Sequence, residues 1–191
     1  MCIRDRVCSI VGRLSWNKGH DIVIDALRQV RQALAARELR CLIVGGGYQE
    51  EEIRDVAHQS QADTELFSFL GFVTDLRQVY WASDLFLLPS RVEGFALVVA
   101  EAMCCGAVPI RTPSGGALDQ IRDGWNGRLV PFDDADKLAE TILELSDAGT
   151  LQQMSVNAAE FGRAQFDRSV MARRSAEVYA AVTMRGASSG R

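Results

Sequence analysis

The sequence predicts an α/β fold in which helices cover both faces of a Rossmann-like parallel sheet. Short apolar segments rich in β-branched residues alternate with segments whose apolar residues recur at helical spacing. The apolar segments are hydrophobic at successive positions, which is typical of strands buried on both faces. Glycines cluster directly after these segments, where the chain must turn. Parallel sheets bind ligands at the carboxyl ends of their strands, so the glycine-rich loops are where we expect a site.

The first half of the chain alternates between strand and helix three times. The apolar run CSIVG, which ends at Gly12, predicts a buried first strand, and RCLIVGGG predicts a second. Between them, the apolar spacing in DIVIDALRQVRQALAAR predicts a helix. The segment YQEEEIRDVAHQSQ is predicted as one helix, because its acidic first turn complements the helix dipole. LFSFLGFV is predicted as a third strand with its turn, and DLRQVYWA as a short helix.

The second half continues the same pattern. DLFLLPS predicts a fourth strand closed by Pro89, and an apolar helix follows over 96–105, where Gly106 ends it. AVPIRT predicts a fifth strand and SGGALDQIRDG a short helix. WNGRLVP predicts an N-G turn with a sixth short strand. From Asp134 to about Met184 the apolar spacing predicts helices only.

We interpret the chain as one domain. The opening MCIRDR has no periodicity, so 1–6 are expected to be a start imposed by gene-model or assembly processing. Residues 7–168 are expected to form the Rossmann-like domain. Residues 169–185 are predicted as a C-terminal helix, and 186–191, which are small and polar, as a frayed tail.

Composition excludes several classes of protein. The 191 residues carry 21 Lys and Arg against 25 Asp and Glu, and 48% are hydrophobic, which excludes wholesale disorder. The acidic balance argues against a general nucleic-acid binder. No apolar run reaches the roughly 18 residues that a membrane-spanning helix needs, and no secretion signal is recognisable. The five cysteines show no C-x-x-C spacing, so we expect reduced thiols in a cytoplasmic protein and no metal site.

The loop GRLSWNKG places two permanent cations after the first strand. Arg13 as a fork and Lys18 as a point charge, framed by Gly12 and Gly19, are able to neutralise a diphosphate. The P-loop spacing G-x-x-x-x-G-K-[ST] is absent. A solvated basic turn is the alternative interpretation and remains open on this loop alone.

The loop VGGGYQEEE resembles a dinucleotide fingerprint without meeting it. Glu50 stands where the third glycine belongs, and the loop follows the second strand, so a nicotinamide cofactor is disfavoured. Gly45 and Gly47 allow a phosphate or ribose to approach the backbone closely. A simple tight turn explains them equally well.

The stretch RVEGFALVVAEAMCCGAVP carries the most chemical information. Glu93 precedes a helix, and the backbone N–H groups of Gly94, Phe95 and Ala96 lie where that helix begins, which predicts an anion site. Glu101 lies inside the otherwise apolar helix and needs a partner there. A ribose diol and a neighbouring arginine are both candidates. The following segment TPSGGALDQ offers further N–H donors, or an ordinary helix cap.

Taken together, these loops resemble the C-terminal, nucleotide-sugar-binding domain of retaining glycosyltransferases of family 4, which have the GT-B fold. The resemblance runs in family order from Val7 to Val130, through the segments VGRLSWNKG, LIVGGGYQEEE, FLGFVTD, ASDLFLLPSRVEGFALVVAEAMCCGAVPI and GGALDQIRDGWNGRLV. The family pattern E-G-F-G-x(4)-E-A-M-A-x-G-x-P-V is met closely from Glu93 to Ile110.

The resemblance implies a role for each matching position. Arg13 and Lys18 would hold the donor diphosphate and stabilise the departing nucleotide, and Glu93 would contact the donor sugar. Glu101 would bind the nucleotide ribose. The remaining implied contacts are backbone amides for sugar and phosphate, from Gly94, Phe95 and Ala96, and the surroundings of the base, from Phe72 and Val73. No metal or other cofactor is implied, since the cations and helix dipoles act on the leaving group.

The sequence departs from the family pattern at three points. Ala96 replaces the second glycine of E-G-F-G, and Leu118 and Asp119 stand where the family often has Pro and Glu, which leaves donor-sugar specificity open. The chain also contains only the second of the two domains of a GT-B enzyme. The helix over 169–185 resembles the family's final helix, which crosses to the first domain, so an apolar face there is expected to lack its partner.

The resemblance implies the donor-binding half of a hexosyltransferase that moves a sugar from a UDP- or GDP-sugar to a glycan or lipid acceptor with retention. The isolated chain is expected to bind a nucleoside diphosphate weakly and to turn over little or nothing without the N-terminal domain. The alternatives are an inactive nucleotide-sugar-binding module and a fragment of a GT-B sugar-nucleotide epimerase. Peripheral membrane association is open for the full-length protein, which we expect in the cytoplasm or at the inner face of the membrane.

Overall fold

A computed structural model describes residues 6–33, 39–145 and 148–188. Its centre is one sheet of six parallel strands in the order β3-β2-β1-β4-β5-β6, the strand order of dinucleotide-binding Rossmann folds. The strands are β1 (Arg6–Val11), β2 (Leu39–Val44), β3 (Phe67–Gly71), β4 (Leu85–Leu88), β5 (Val108–Arg111) and β6 (Arg128–Leu129). The predicted fold class and the parallel sheet are confirmed.

Helices connect the strands and continue beyond the last of them. They are α1 (His20–Ala33), α2 (Glu50–Ala57), α3 (Gln61–Leu66), α4 (Arg77–Ala82), α5 (Leu97–Cys105), α6 (Ala117–Gln120), α7 (Ala135–Glu144), α8 (Ala148–Phe166) and α9 (Arg168–Ser188). A 3-10 turn over Trp16–Lys18 precedes α1. In the described part of the chain, none of these helices is sufficiently long and apolar to cross a bilayer.

The sheet buries both of its faces. On one side α1 and α7 pack over the strands and contribute side chains such as Leu27 and Ile142 to the larger core. On the other side α5 and α8 pack together, with Val99 and Ala158 in the second core. Helices therefore lie on both faces, as the apolar strands predict.

The helix predicted over YQEEEIRDVAHQSQ is present but ends earlier than predicted, at Ala57, and a second helix begins at Gln61. The second helix starts because the side chain of Ser60 accepts a hydrogen bond from the amide of Asp63 at 3.1 Å and so caps it. The new helix α3 takes Leu66 from the predicted third strand. In the middle of the sheet, β1 begins at Arg6, one residue before the predicted domain start, and residues 1–5 lie outside the described part.

The last helix makes few contacts with the domain. Val170 is half-buried, whereas Val178 and Val182 are 64% and 65% exposed. α9 begins at Arg168, one residue before the predicted boundary, and continues to Ser188. The predicted tail therefore falls partly within α9 and partly, over 189–191, outside the described residues.

Candidate functional site

The site lies where the strand order reverses. β1 and β4 are neighbours in the sheet, yet the connections that follow them lead to helices on opposite faces, so their carboxyl ends frame a crevice. The loop after β4 is tied across this crevice to the loop after β1. The amide of Arg91 and the hydroxyl of Ser90 both donate to the carbonyl oxygen of Asn17, at 2.8 and 2.9 Å.

Lys18 and Glu93 meet at this crevice. The Nζ atom of Lys18 lies 2.5 Å from Oε1 of Glu93, and the two side chains are 26% and 11% exposed. The stem of Lys18 passes over Gly12, at 3.9 and 4.0 Å from the point where a Cβ would stand there. Two residues chosen from separate motifs thus form one partly buried ion pair.

Arg91 connects the loop of Glu93 to the loop of Lys18 and to the helices α1 and α7. Its guanidinium donates to Asp21 in the first turn of α1 at 2.7 Å, to Asp133 before α7 at 2.6 Å, and to the carbonyl oxygen of Trp16. Asp133 has a φ of 55°, in the left-handed region that side chains seldom adopt. The hydrogen bond to Asp21 raises the pKa of Arg91. Sequence reasoning missed Arg91, since a cation in a loop carries no signal of this arrangement.

A turn from the next loop closes the crevice beside Glu93. A Cβ built on Gly115 would stand 2.5 Å from the carbonyl oxygen of Glu93, so only glycine fits there. The N–H groups of Gly115 and Gly116 have no acceptor among the described residues. The same holds for the amides of Gly94 and Phe95.

Arg111 supports that turn from within the fold. The side chain is fully buried at the end of β5 and donates to the carbonyl oxygens of Ser114 and Gly115, each at 3.2 Å, and to the side chain of Gln120. Burial lowers the pKa of Arg111, and the negative charge of Glu93 opposes that change. A charged residue at the end of the apolar run AVPIRT is the signal that could have revealed it.

Glu101 lies on the surface of α5 rather than inside the apolar layer. Its Oε2 atom accepts a hydrogen bond from the hydroxyl of Tyr80 at 2.9 Å, so the partner in the protein is a phenol and not the arginine considered from the sequence. Both side chains line a cavity of about 740 Å³. Thr74 and Leu97 line the same cavity, and Leu97 is the first residue of α5, which follows the loop of Glu93 along the chain.

The other predicted positions fall around this site. Arg13 is exposed and has no ion pair in the part of the chain that the structure describes. Phe72 is 82% exposed and Val73 packs on the second core, so neither is among the described residues that line the cavity. The space that a Cβ on Gly45 or Gly47 would need is filled by the protein's own backbone at Gly12 and Leu14, so packing already explains both glycines.

Ala96 replaces the second glycine of the family pattern E-G-F-G, and its burial shows where the additional methyl group lies. Ala96 is 4% exposed and belongs to the second core, and its carbonyl oxygen accepts from Gln120 at 2.9 Å. Its methyl group therefore packs inside the domain. Leu118 and Asp119 are exposed. Across the described ranges, no three His, Cys, Asp or Glu side chains stand close enough to hold a metal ion.

Comparison with known proteins decides the family. The family model described as glycosyl transferases group 1 matches residues 5–148. The chain belongs to the group 1 glycosyltransferases. A relative of this glycosyltransferase chain is the GDP-mannose-dependent monoacylated alpha-(1-6)-phosphatidylinositol monomannoside mannosyltransferase of Corynebacterium glutamicum. The two are 35% identical over 143 residues, which are 71% of this chain and 36% of that protein.

Solved structures show the same fold as this glycosyltransferase chain. The Anabaena protein HepE in complex with UDP and glucose has a TM-score of 0.82 and 27% identity, over 93% of this chain and 49% of that one. The C-terminal domain of a group 1 glycosyl transferase from Francisella tularensis has a TM-score of 0.75 at 22% identity, over 85% of this chain and 87% of that one. The chain thus has the fold of a GT-B C-terminal domain, and it covers 36% of the Corynebacterium protein and 49% of the HepE chain.

Proposed function

We propose that this glycosyltransferase chain is the donor-binding half of a retaining enzyme that transfers a hexosyl group from a UDP- or GDP-sugar to a glycan or lipid acceptor. The observation that carries the proposal is the contact between Lys18 and Glu93 at the point where the strand order reverses. A cation and a carboxylate at 2.5 Å there offer one group for a phosphate and one for a sugar hydroxyl.

The diphosphate of the donor would bind between the two loops. Lys18 and the exposed Arg13 supply positive charge, and the amides of Gly94 and Phe95 supply N–H donors that no described residue uses. These groups stabilise the negative charge that develops on the nucleoside diphosphate as it departs. The same arrangement allows the reaction to proceed without a metal or other cofactor.

The sugar and the nucleoside would lie on opposite sides of the diphosphate. Glu93 accepts hydrogen bonds from the hydroxyls of the donor sugar, while Glu101 and the cavity beside it receive the nucleoside. The Corynebacterium relative is GDP-mannose-dependent by name, and HepE is solved with UDP. Both names support a nucleoside diphosphate sugar as the donor and leave the choice between UDP and GDP to experiment.

The acceptor would bind outside this chain. Since the chain covers only 36% of the Corynebacterium protein and 49% of the HepE chain, the acceptor site and the opposite wall of the cleft would belong to an N-terminal domain of the full-length enzyme. A lipid acceptor would place the full-length enzyme at the cytoplasmic face of a membrane.

Calorimetric titration of the chain with UDP and with GDP tests the donor site. We expect weak binding of at least one nucleotide. A hydrogen bond to a charged group contributes about 1.5–3 kcal/mol, so Lys18→Ala should weaken that binding roughly 10- to 100-fold. The double change Arg13→Ala and Lys18→Ala should abolish it.

Lys137→Ala provides a matched control, because Lys137 also pairs with a carboxylate, Glu140, at 2.7 Å but lies on α7. Its nucleotide affinity should equal that of the unchanged chain. Equal binding by the unchanged chain and the double variant would reject the assignment of the site.

A further inference from the structure

Tyr80 has a feature that the proposed donor site does not yet use. It is 2% exposed, lies on α4, and packs the edge of its ring against Phe86 with 5.8 Å between ring centroids. A buried phenol is costly unless its hydroxyl has a partner. That partner is Oε2 of Glu101, at 2.9 Å on the neighbouring helix α5.

This hydrogen bond fixes one oxygen of Glu101 and leaves the other open. No other donor to the Glu101 carboxylate exists among the residues described. Arg77 lines the same cavity, but its guanidinium is held by Asp75 at 2.6 and 2.8 Å. Oε1 of Glu101 is therefore an oriented acceptor in the cavity wall.

The tyrosine can act only as a donor in this pair. Burial, reinforced by the charge of Glu101, raises the pKa of Tyr80, so the phenol keeps its proton. A protonated phenol directed at Oε2 holds the carboxylate in one rotamer. The acceptor on Oε1 consequently keeps a defined direction relative to α5.

The distance along α5 suits a nucleotide. Glu101 lies one helical turn, about 6 Å, beyond Leu97, the first residue of α5. The N-terminus of α5 is where the proposed diphosphate meets free amides, and the ribose is the next group of a nucleoside diphosphate. A ribose hydroxyl thus falls within reach of Oε1 when the phosphate sits at the start of the helix.

We propose that Tyr80 is a positioning residue that orients Glu101 toward a ribose hydroxyl, so that the cavity selects ribonucleotides over 2′-deoxyribonucleotides. This inference rests on the proposed donor site. Tyr80 does not touch the nucleotide in this arrangement and acts through Glu101 alone.

Paired titrations with UDP and 2′-deoxy-UDP test the inference on the chain as it stands. The unchanged chain should bind UDP roughly tenfold more tightly, the effect expected of one hydrogen bond to a charged group. Tyr80→Phe should reduce this preference to about twofold or less by weakening UDP while leaving 2′-deoxy-UDP unchanged. Glu101→Gln should also reduce the preference, and the double variant should show no further loss.

Tyr179→Phe serves as the control, because Tyr179 is an exposed tyrosine on α9, and it should keep the full preference. The unchanged affinity for 2′-deoxy-UDP in Tyr80→Phe, with thermal unfolding, shows that the variant is folded. A preference that survives in Tyr80→Phe, or an equal loss for both nucleotides in either single variant, overturns the role of Tyr80. Absence of UDP and GDP binding to the unchanged chain contradicts the proposed function instead, and this inference with it.

Discussion

At the scale of single residues, the site consists of charges that neutralise one another within the protein. Lys18 pairs with Glu93, and Arg91 with Asp21 and Asp133. A diphosphate that binds Lys18 must therefore approach a carboxylate of like charge at the same point. This competition limits how tightly the chain can bind a nucleotide.

Replacing Glu93 with Gln should therefore strengthen UDP binding while it removes the acceptor proposed for the donor sugar. Two unit charges about 4 Å apart interact by about 1 kcal/mol in water, and more where water is partly excluded. We expect UDP affinity to rise roughly fivefold or more in Glu93→Gln. Calorimetric titration at low salt measures the change.

The control for this prediction is Glu140→Gln, which releases Lys137 from a comparable pair on α7 and should leave UDP affinity unchanged. Added salt should reduce the gain in Glu93→Gln, because it screens partly exposed charges. Weaker UDP binding in Glu93→Gln would mean that Glu93 orients Lys18 for the phosphate instead of competing with it.

The sequence predicts which residue types form the site better than it predicts their contacts. Lys18 and Glu93 were chosen from separate motifs, and their contact depends on β1 and β4 being neighbours in the sheet. The partner of Glu101 was not predicted, because Tyr80 lies 21 positions earlier on another helix. Contacts between distant segments depend on tertiary packing, which periodicity along a chain does not describe.

At the scale of elements, the six strands were predictable because each overlaps a short, mainly apolar segment that a turn follows, even though Arg40 in β2 and Arg128 in β6 are charged. The split between α2 and α3 was not, because the cap at Ser60 is a single hydrogen bond within a polar segment that also fits a continuous helix. Arg111 is a charged residue at a position where the strand pattern predicts an apolar one. It occupies a buried strand end against the usual preference for apolar residues, and its hydrogen bonds to a later turn explain why.

His20, the first residue of α1, predicts that the free energy of unfolding depends on pH. His20 is 1% exposed, and burial lowers its pKa to about 4. Nδ1 lies 3.1 Å from the carbonyl oxygen of Ser15, to which it donates, whereas buried Nε2 has no partner among the described atoms. A second proton on Nε2 would have no acceptor, so the folded state favours neutral His20.

The direction of this pH dependence follows from the pKa of His20 in the unfolded and in the folded state. In the unfolded chain His20 has its ordinary pKa of about 6.5, so between pH 6.5 and about 4 the unfolded state binds more protons. His20 thus contributes stability in full above pH 6.5 and loses it as the pH falls to about 4, by at most about 3 kcal/mol. Urea unfolding of the chain and of His20→Gln across this range should show a shallower pH slope in the variant. Identical slopes would contradict neutral burial of His20.

At the scale of the whole molecule, two cores on opposite faces of the sheet hold the loops of the site at one edge. The first core lies beneath α1 and α7 and the second beneath α5 and α8. Glu93 precedes α5 and Lys18 precedes α1, so each member of the ion pair is anchored to a different core. A substitution that destabilises the core on either face of the sheet should therefore alter the ion pair between Lys18 and Glu93.

α9 stands apart from both cores, and the domain should fold without it. Val178 and Val182 are mostly exposed and contribute little burial, and Met171 is 42% exposed. A chain that ends at Asp167 should unfold cooperatively with a Tm within about 4 °C of the full chain, since about 1 kcal/mol corresponds to 2–4 °C in a domain of this size.

A chain that ends at Glu144 tests whether that tolerance is specific to α9. Removing α8 as well takes Met154 from the first core and Ala158 from the second, and a Cβ on Gly162 would stand 3.0 Å from Met103. Each large buried apolar side chain lost costs about 2–5 kcal/mol, a large share of a stability of 5–15 kcal/mol. We expect no cooperative thermal transition by circular dichroism for this shorter chain. If the chain that ends at Asp167 also fails to unfold cooperatively, α9 is covered in solution and belongs to the folding unit after all.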